Sequence, residues 1–275
     1  MRKEWEIKKR NKVEKIIKVK VRNKVKLREV FISDIHIPYE DEKCISFFLD
    51  FLSEEKFDLL WIGGDLIDFY AVSSWIIDIT EANINKEIFL ARDFLESVRR
   101  RFKGKVVYQE GNHEERLIKY IFRRARELAP LFKYDLRVAN LLGLEGLRIE
   151  YRQGIQKVGK LYHLHGHEKR MMGQVVHIAL NMLRWLQRSY VCGHFHRFNF
   201  FPLREVDKSW KAGWTSGCMF DIKRMPTPYE YVDLNQKGFL VIEYDDEGYY
   251  YVRPVMFIEK NGGYKVYWDG EFYQI

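Results

Sequence analysis

Five short segments of the chain combine histidine, aspartate and asparagine, and each one ends a run of apolar residues. The segments are Asp34-Ile35-His36, Gly64-Asp65-Leu66-Ile67-Asp68, Gly111-Asn112-His113-Glu114, His163-Leu164-His165-Gly166-His167 and Gly193-His194-Phe195-His196. Together they contain seven of the eight histidines. Because ligands of open α/β sheets gather at the carboxyl ends of the strands, this pattern predicts a sheet that brings the five segments together at one edge.

Strand and helix patterns alternate through the first two thirds of the chain. Strands are predicted at residues 30–33, 59–62, 105–109, 161–164 and 190–192. Helices are predicted at residues 42–55, 84–102, 114–128 and 172–187, where apolar residues recur with helical periodicity. After Trp210 the pattern changes to short strands such as residues 239–244 and 249–254. This order predicts an α/β fold with a largely parallel inner sheet.

The residue types in the five segments are those that bind transition metals. Neutral imidazole, carboxylate and amide oxygen suit Mn²⁺, Fe, Zn²⁺, Co²⁺ or Ni²⁺, and Mn²⁺ is the ion that we expect. The seven candidate ligands are Asp34, His36, Asp65, Asn112, His165, His194 and His196. Because one ion needs roughly three to five protein ligands, the count predicts two divalent ions that share a carboxylate. If Asp65 is shared, the ions can lie roughly 3.5–4 Å apart, which suits phosphoryl displacement.

The order and spacing of the segments resemble the calcineurin-like metallophosphoesterases. The pattern of that family is D-x-H, G-D-x-x-D, G-N-H-[DE], a single metal-binding histidine and G-H-x-H, and the resemblance covers residues 30–196. In residues 64–70, 110–116 and 193–197 the chain is most similar to phosphoesterases of phages and prophages. The resemblance implies an α/β sandwich of two mixed β-sheets flanked by helices, with the active site at the carboxyl ends of the strands.

The same resemblance implies a role for each site residue. The first ion would be bound by Asp34, His36 and His196. The second would be bound by Asn112, His165 and His194, with Asp65 bridging the two ions. His113 would be the acid that protonates the leaving oxygen, and Asp68 would hold its imidazole in the required tautomer. The nucleophile would be a metal-bridging hydroxide, since two cations lower the pKa of bound water toward about 7.

Several of these residues also have plainer interpretations. Asp34 could cap the end of a strand and Asp65 could be an ordinary turn residue, since aspartate is common at turns. His163 lies two residues before His165 and is expected to face the same side of a strand. The choice of His165 as the ligand therefore rests on the family pattern. His167 could contact the substrate or support the ligands, or it could be a solvated loop residue.

The expected reaction is hydrolysis of a phosphate ester, and the expected substrate is a nucleotide or nucleic acid. Candidate phosphate contacts near three of the segments are Arg116, Arg170 and Arg197. The favoured activity is a phosphodiesterase or nuclease. The alternatives are a phosphomonoesterase or protein phosphatase, and a nucleic-acid-binding module with structural metals. The oligomeric state is left open by the sequence.

Residues beside the second and third segments bear on these alternatives. Protein phosphatases of the family carry arginine at the positions of Phe69 and Glu110, so this departure disfavours a Ser/Thr phosphatase. Phe69, Tyr70 and Trp75 could stack on a base, or they could pack in the core or in a lid. An intact His113 and Asp68 argue against a purely structural metal site, because such a site does not need an acid.

Composition and charge limit the class of protein. With 275 residues and 47% hydrophobic residues the chain can bury a full core, and we expect one domain at residues 29–275 with a possible insertion at 129–153. Three widely spaced cysteines argue against a disulfide framework. The chain has no apolar stretch long enough for a membrane span, and its N-terminus is charged. We therefore expect a cytoplasmic protein without membrane contact.

The net charge of +8 is concentrated in a basic N-terminal extension. Residues 1–28 contain thirteen Lys or Arg and three Glu, a balance of +10. Residues 18–28 alternate basic and apolar side chains, which predicts a strand with one packed face. The lysines could protect a sheet edge from aggregation, or they could contact a phosphate backbone.

Overall fold

The computed structural model describes residues 24–74, 77–78, 80–132, 135–169, 177–226 and 234–275. Most of the predicted basic extension and the first turns of the helix predicted at residues 172–187 lie outside these residues. The candidate phosphate contact Arg170 and the aromatic residue Trp75 lie outside them as well.

Within the described residues the chain forms thirteen strands and six α-helices. The strands are β1 (Leu27–Ile32), β2 (Leu59–Ile62), β3 (Lys105–Gln109), β4 (Ile149–Arg152), β5 (Gln156–Val158), β6 (Leu161–Leu164), β7 (Tyr190–Cys192), β8 (Asn199–Arg204), β9 (Trp210–Thr215), β10 (Lys237–Tyr244), β11 (Tyr250–Lys260), β12 (Gly263–Trp268) and β13 (Glu271–Gln274). The helices are α1 (Glu42–Glu54), α2 (Ile84–Arg101), α3 (Glu114–Arg124), α4 (Ala129–Phe132), α5 (Val138–Leu141) and α6 (Ile178–Leu186).

The strands pair into two mixed sheets. The larger sheet has the order β13-β12-β11-β10-β1-β2-β3-β4, in which β1 to β4 are parallel and β10 runs antiparallel to β1. The smaller sheet has the order β5-β6-β7-β9-β8, in which β6, β7 and β9 are parallel and the outer strands are antiparallel. The parallel strands therefore form one half of the larger sheet and the centre of the smaller one.

The two sheets pack against each other and carry helices on their outer faces. On β1, Val30 and Ile32 belong to the core that includes helices α1 and α2, whereas Phe31 packs into the layer between the sheets. On the smaller sheet, Met182 of α6 packs with Tyr190 of β7. Buried on both faces, the central strands read as continuous apolar runs. The predicted sandwich of two mixed sheets flanked by helices is confirmed.

The structure differs from the sequence-based expectations at several element ends. Strand β1 begins at Leu27, because Leu27 and Arg28 pair with Tyr244 and Glu243 of β10. Helix α3 ends at Arg124, and a 3-10 turn continues the chain. Strand β4 lies within the predicted insertion at residues 129–153 and pairs with β3. The division into an extension and a single domain stays a prediction.

Two observations bear on the expectations from composition. None of the described helices combines the length and the apolar character that crossing a membrane requires. The three cysteines, Cys44, Cys192 and Cys218, are buried and form no disulfide with one another. Cys192 ends β7, where the apolar run of that strand predicts a small buried side chain.

Candidate metal centre

Loops at the carboxyl ends of five strands carry the nine residues predicted as ligands or catalytic groups. In chain order they are Asp34 and His36 after β1, Asp65 and Asp68 after β2, Asn112 and His113 after β3, His165 after β6, and His194 and His196 after β7. Strands β1 to β3 are neighbours in the larger sheet, and β6 and β7 are neighbours in the smaller one. The loops meet across one edge of the sandwich, so the structure brings all nine residues into one cluster.

Three groups of three donors form inside this cluster, and two of them consist of predicted ligands only. The first consists of Asp34, His36 and His196, and the second of Asp65, His165 and His194; within each group the donor atoms lie within 4.8 Å of one another. In the first, His196 Nε2 lies 3.3 Å from Asp34 Oδ1. In the second, His165 Nε2 lies 3.1 Å from Asp65 Oδ2 and 3.1 Å from Asn112 Oδ1. The geometry groups together the residues that the family resemblance assigns to each ion.

His36 connects the two groups. Its Nδ1 lies 2.9 Å from Asp68 Oδ2, so a protonated Nδ1 donates to that carboxylate and Nε2 keeps its lone pair. The Nε2 atom lies 3.9 Å from both Asp34 Oδ1 and Asp65 Oδ2 and is buried without a hydrogen-bond partner. Buried polar atoms normally have a partner. A nitrogen lone pair that faces two carboxylate oxygens across such a gap fits the binding of a cation by all three.

The backbone at these residues is in a conformation that side chains rarely adopt. Five candidate ligands have φ between +52° and +69°, namely Asp34, His36, Asp65, His194 and His196. Such left-handed positions cost about 1–3 kcal/mol each and persist where the surroundings hold them. The strain turns side chains from several loops toward one point, which a regular strand end would not do.

Glu114 holds the loop of Asp65 from inside the protein. Its buried carboxylate accepts hydrogen bonds from the backbone N–H groups of Asp65, Leu66 and Gly111 at 2.7–3.0 Å. The Tyr108 hydroxyl donates to the same carboxylate at 2.6 Å. In return, the Asp65 carboxylate accepts from the backbone N–H of His113 at 2.9 Å. The loops after β2 and β3 are therefore locked to each other reciprocally.

His113 belongs to a third group of donors, with His36 and Asp68, whose atoms lie within 4.8 Å of one another. Its Nδ1 lies 2.9 Å from the backbone oxygen of Asp68 and 3.1 Å from Asp68 Oδ2. Arg116 contacts both residues, with Nη1 3.0 Å from Asp68 Oδ1 and Nη2 2.8 Å from His113 Nε2. Burial opposes a charge on His113, but the carboxylates of Asp65 and Asp68 outweigh it and raise its pKa.

Burial and neighbouring charges shift the pKa values of the carboxylates and imidazoles in the cluster. Burial would raise the pKa of Asp34, but the hydrogen bond and charge of His196 lower it to about 2. Burial acts on Asp65 as well, yet the surrounding imidazoles hold its pKa well below the ordinary range. Burial disfavours a charged His165, whereas Asp65 raises its pKa to about 10; burial and the charge of His165 lower the pKa of His194 to about 3. A cation bound here must displace a proton from His165.

The three histidines of the fourth segment have different contacts. His165 directly follows the last residue of β6, and its Nδ1 lies 2.8 Å from the backbone oxygen of Gly63, so both His163 and His165 face the larger sheet. His163 points between the sheets, where its Nε2 lies 2.8 Å from Glu29 Oε1. His167 is partly exposed and its Nε2 lies 3.4 Å from Glu115 Oε1, next to the second group of donors.

The candidate substrate contacts have different surroundings. The guanidinium of Arg116 lies at the site, whereas Arg197 is exposed one residue after His196. Phe69 is fully buried and Tyr70 is 7% exposed. These two rings pack inside the protein, which favours the packing interpretation over base stacking.

Two acidic residues that support the loops were not predicted from the sequence. Glu114 ends the third segment and begins α3. A glutamate at the start of a helix can accept hydrogen bonds from backbone N–H groups of the preceding loop, so its position was a usable signal. Glu168 accepts from the N–H groups of His165 and Gly166 at 3.1 and 2.7 Å. Glu168 lies three residues after the candidate ligand His165, which is the spacing at which a glutamate can accept a hydrogen bond from the backbone N–H of the earlier residue.

The chain is similar to several known proteins. A family model described as calcineurin-like phosphoesterase matches residues 27–215, which include all five segments. The Gene 54 protein of Mycobacterium phage L5 is 27% identical over 182 residues, 64% of this chain and 71% of that protein. The Gene 54 protein of Mycobacterium phage D29 is 29% identical over 185 residues, with the same coverage. Vacuolar protein sorting 29 from Cryptosporidium parvum superposes with a TM-score of 0.47 and 14% identity, covering 92% of this chain and 99% of that one.

Proposed function

This chain belongs to the calcineurin-like phosphoesterase family, and from that premise we propose that it hydrolyses phosphate esters with two divalent metal ions. One observation carries the proposal. The buried, unpartnered Nε2 of His36 faces Asp34 of one donor group and Asp65 of the other at 3.9 Å each. A nitrogen lone pair and two carboxylate oxygens cannot hydrogen-bond to one another, so their convergence favours a cation between them.

We assign the ions to two neighbouring sites. The first site would use Asp34, His36 and His196, the second Asn112, His165 and His194, and Asp65 would serve both. Imidazole with carboxylate and amide oxygens favours Mn²⁺, with Fe, Zn²⁺, Co²⁺ and Ni²⁺ as alternatives. Two such ions would supply Lewis-acid polarisation of the phosphoester and an activated water as nucleophile.

His113 is proposed to donate a proton to the leaving oxygen. The raised pKa of this imidazole keeps it protonated to a higher pH than an ordinary histidine, as a general acid near neutral pH requires. Asp68 accepts from Nδ1 at 3.1 Å, which directs Nε2 toward the cluster, 3.7 Å from Asp65 Oδ2. Asp68 thereby orients the ring and stabilises its charged form.

Arg116 is proposed to bind the phosphate. In the neutral ring with Nδ1 protonated, Nε2 of His113 accepts a hydrogen bond from Arg116 Nη2 at 2.8 Å. An anionic phosphate competes for this guanidinium, because charge-assisted bonds to phosphate are stronger than a bond to a neutral nitrogen. Movement of Arg116 to the substrate would leave Nε2 of His113 available to carry the transferred proton.

We propose a phosphodiester of a nucleotide or nucleic acid as the substrate. The cationic side chains at and beyond the start of α3 support this choice, since they match a polyanionic chain. Phosphomonoester hydrolysis is the alternative that the same donor set would support. A nucleic-acid-binding module with structural metals is the further alternative.

Hydrolysis of two chromogenic esters tests the proposal. The protein should be stripped of metal, reconstituted separately with Mn²⁺, Co²⁺, Zn²⁺, Ni²⁺ or Fe²⁺, and assayed with bis-(p-nitrophenyl) phosphate and p-nitrophenyl phosphate. We expect metal-dependent turnover, with the diester preferred. Turnover of the monoester alone would replace the diesterase by a monoesterase. The absence of turnover of both esters, with two ions bound per chain, would contradict the enzyme and favour structural metals.

A further inference from the structure

Helix α3 leads from the candidate site to the protein surface. At its start, Arg116 contacts Asp68 and His113, and its side chain is 19% exposed. The second half of the helix is exposed except for its inner face, and Tyr120 and Phe122 are 42% and 53% exposed. The helix thus carries side chains continuously from the reacting groups to open solvent.

One face of α3 combines cations with an aromatic ring. Arg116, Tyr120 and Arg123 follow one another at four and three residues and therefore lie on one face, with Arg124 four residues after Tyr120. The span from Arg116 to Arg123 is about 10 Å along the helix axis. We call these four residues the α3 stripe.

The charge of the stripe is open to a partner. Lys119, at the margin of the stripe, is paired with Glu115, which reduces its availability. Along the ranges for which side chains are described, no acidic group lies within ion-pair distance of Arg123 or Arg124. Arginines in the last turn also complement the helix dipole. That effect explains a positive C-terminus, but it does not explain an exposed tyrosine between the arginines and the site.

We propose that the α3 stripe binds the strand of a single-stranded nucleic acid that continues from the phosphodiester held at the site. Arginine forms paired hydrogen bonds to phosphate, and an exposed aromatic ring stacks on an unpaired base. Stacking on Tyr120 requires a base that is free of its partner, which favours a single strand over a duplex. This inference rests on the proposed phosphodiesterase function and names its substrate class.

Matched double and single variants separate the stripe from general charge. Arg123→Ala/Arg124→Ala and Tyr120→Ala alter the stripe. Arg204→Ala/Lys208→Ala removes the same charge from an exposed region around β8, and Tyr251→Ala removes a 65% exposed ring from β11. Binding of a fluorescent, hydrolysis-resistant phosphorothioate thymidine 20-mer is measured with Mn²⁺ present, across a range of salt concentrations. Turnover of bis-(p-nitrophenyl) phosphate with Mn²⁺ is measured in parallel.

The stripe variants should lose oligonucleotide binding and keep turnover of the small diester. Loss of two phosphate contacts should flatten the slope of log K against log salt by about 1.4, at about 0.7 per contact on a single strand. Tyr120→Ala should weaken binding of the single strand by about 5-fold or more and binding of a duplex less. The Arg204/Lys208 and Tyr251 controls should match the unaltered protein.

Different results would overturn different statements. Equal binding and equal salt slopes for the stripe and control variants, in a protein that hydrolyses the small diester, would overturn the α3 stripe and leave the phosphodiesterase standing. Absence of oligonucleotide binding in the active unaltered protein would do the same. Failure of the unaltered protein to hydrolyse the small diester would instead overturn the proposed function on which the inference rests.

Discussion

The protein contains two buried clusters of histidine and carboxylate that differ in how they are closed. Between the sheets, Glu29 accepts from Tyr244 at 2.8 Å through one oxygen and contacts His163 Nε2 at 2.8 Å through the other. Both carboxylate oxygens are thus occupied, and Glu29 and His163 lie in regular strands. At the candidate metal centre, Asp34 and Asp65 each meet several imidazoles, and left-handed backbone positions turn the donors toward one point.

An unpartnered imidazole nitrogen does not by itself distinguish the two clusters. Both His36 Nε2 and His163 Nδ1 lack a hydrogen-bond partner. The ring of His163 packs against Trp61, with ring centroids 4.4 Å apart, whereas His36 Nε2 faces two carboxylate oxygens. A buried histidine beside an acid therefore does not by itself indicate a metal site. The indication is that several anionic donors face one gap.

The same change from carboxylate to amide in each cluster should have opposite consequences. Asp65→Asn should reduce metal content toward zero at both sites and turnover by about 10⁴-fold or more, since the ions supply several kcal/mol of transition-state stabilisation. Glu29→Gln should keep both ions and lower the free energy of unfolding by about 1–3 kcal/mol, because it leaves a buried polar group mismatched. Metal analysis, turnover and urea unfolding of both variants make the comparison. Loss of metal in Glu29→Gln would break it.

Replacement of His113 should separate the acid from the ligands. His113→Gln should retain two ions and lose roughly 10²–10⁴-fold in turnover of a diester with an alkoxide leaving group. With p-nitrophenolate, which departs without a proton, the loss should be smaller. Asp68→Asn should follow the same trend more mildly. The rate ratio is measured against leaving-group pKa, together with metal content. Equal losses for both leaving groups, or loss of metal, would make His113 a ligand or a positioning group.

The sequence predicted which residues meet at the site better than it predicted the residues that hold them in place. The five segments end strands whose order and parallel direction follow from apolar runs alternating with helices, so their meeting at one edge could be expected. The contact of Glu114 with Asp65 N–H joins residues 49 apart and depends on two loops closing together. The partner of His163, Glu29, lies on the other sheet, and which residues oppose each other across a sandwich is set by its register and twist.

Bound metal should stabilise the protein, and the rise in Tm on adding metal should depend on the candidate metal centre and not on the cluster of Glu29 and His163. A ligand that binds only the folded state adds about 2.7 kcal/mol at one hundred times its Kd. We expect Mn²⁺ to raise the Tm of the unaltered protein and of Glu29→Gln by the same amount, and to leave Asp65→Asn unchanged. Thermal unfolding with EDTA and with excess Mn²⁺ measures this increment. An equal increment in Asp65→Asn would place the stabilising ion elsewhere.

The smallest expected effects come from removing one hydroxyl behind each cluster. Tyr108→Phe removes the hydroxyl that supports Glu114, and through it the loop of Asp65, so Mn²⁺ affinity should fall by about 10-fold. Tyr244→Phe removes the donor to Glu29 and should lower only the free energy of unfolding, by about 1–3 kcal/mol. Mn²⁺ titration and urea unfolding compare the two variants. A similar loss of Mn²⁺ affinity in both would show that the two clusters are coupled.

The central claim is that this fold gathers donors for two ions around Asp65. Elemental analysis of the protein, stripped of metal, reloaded with Mn²⁺ and freed of excess ion, tests it most directly when turnover of bis-(p-nitrophenyl) phosphate is followed against the number of ions bound. The account predicts close to two ions per chain, with full activity reached only as the second binds. Full activity at one ion per chain would contradict it.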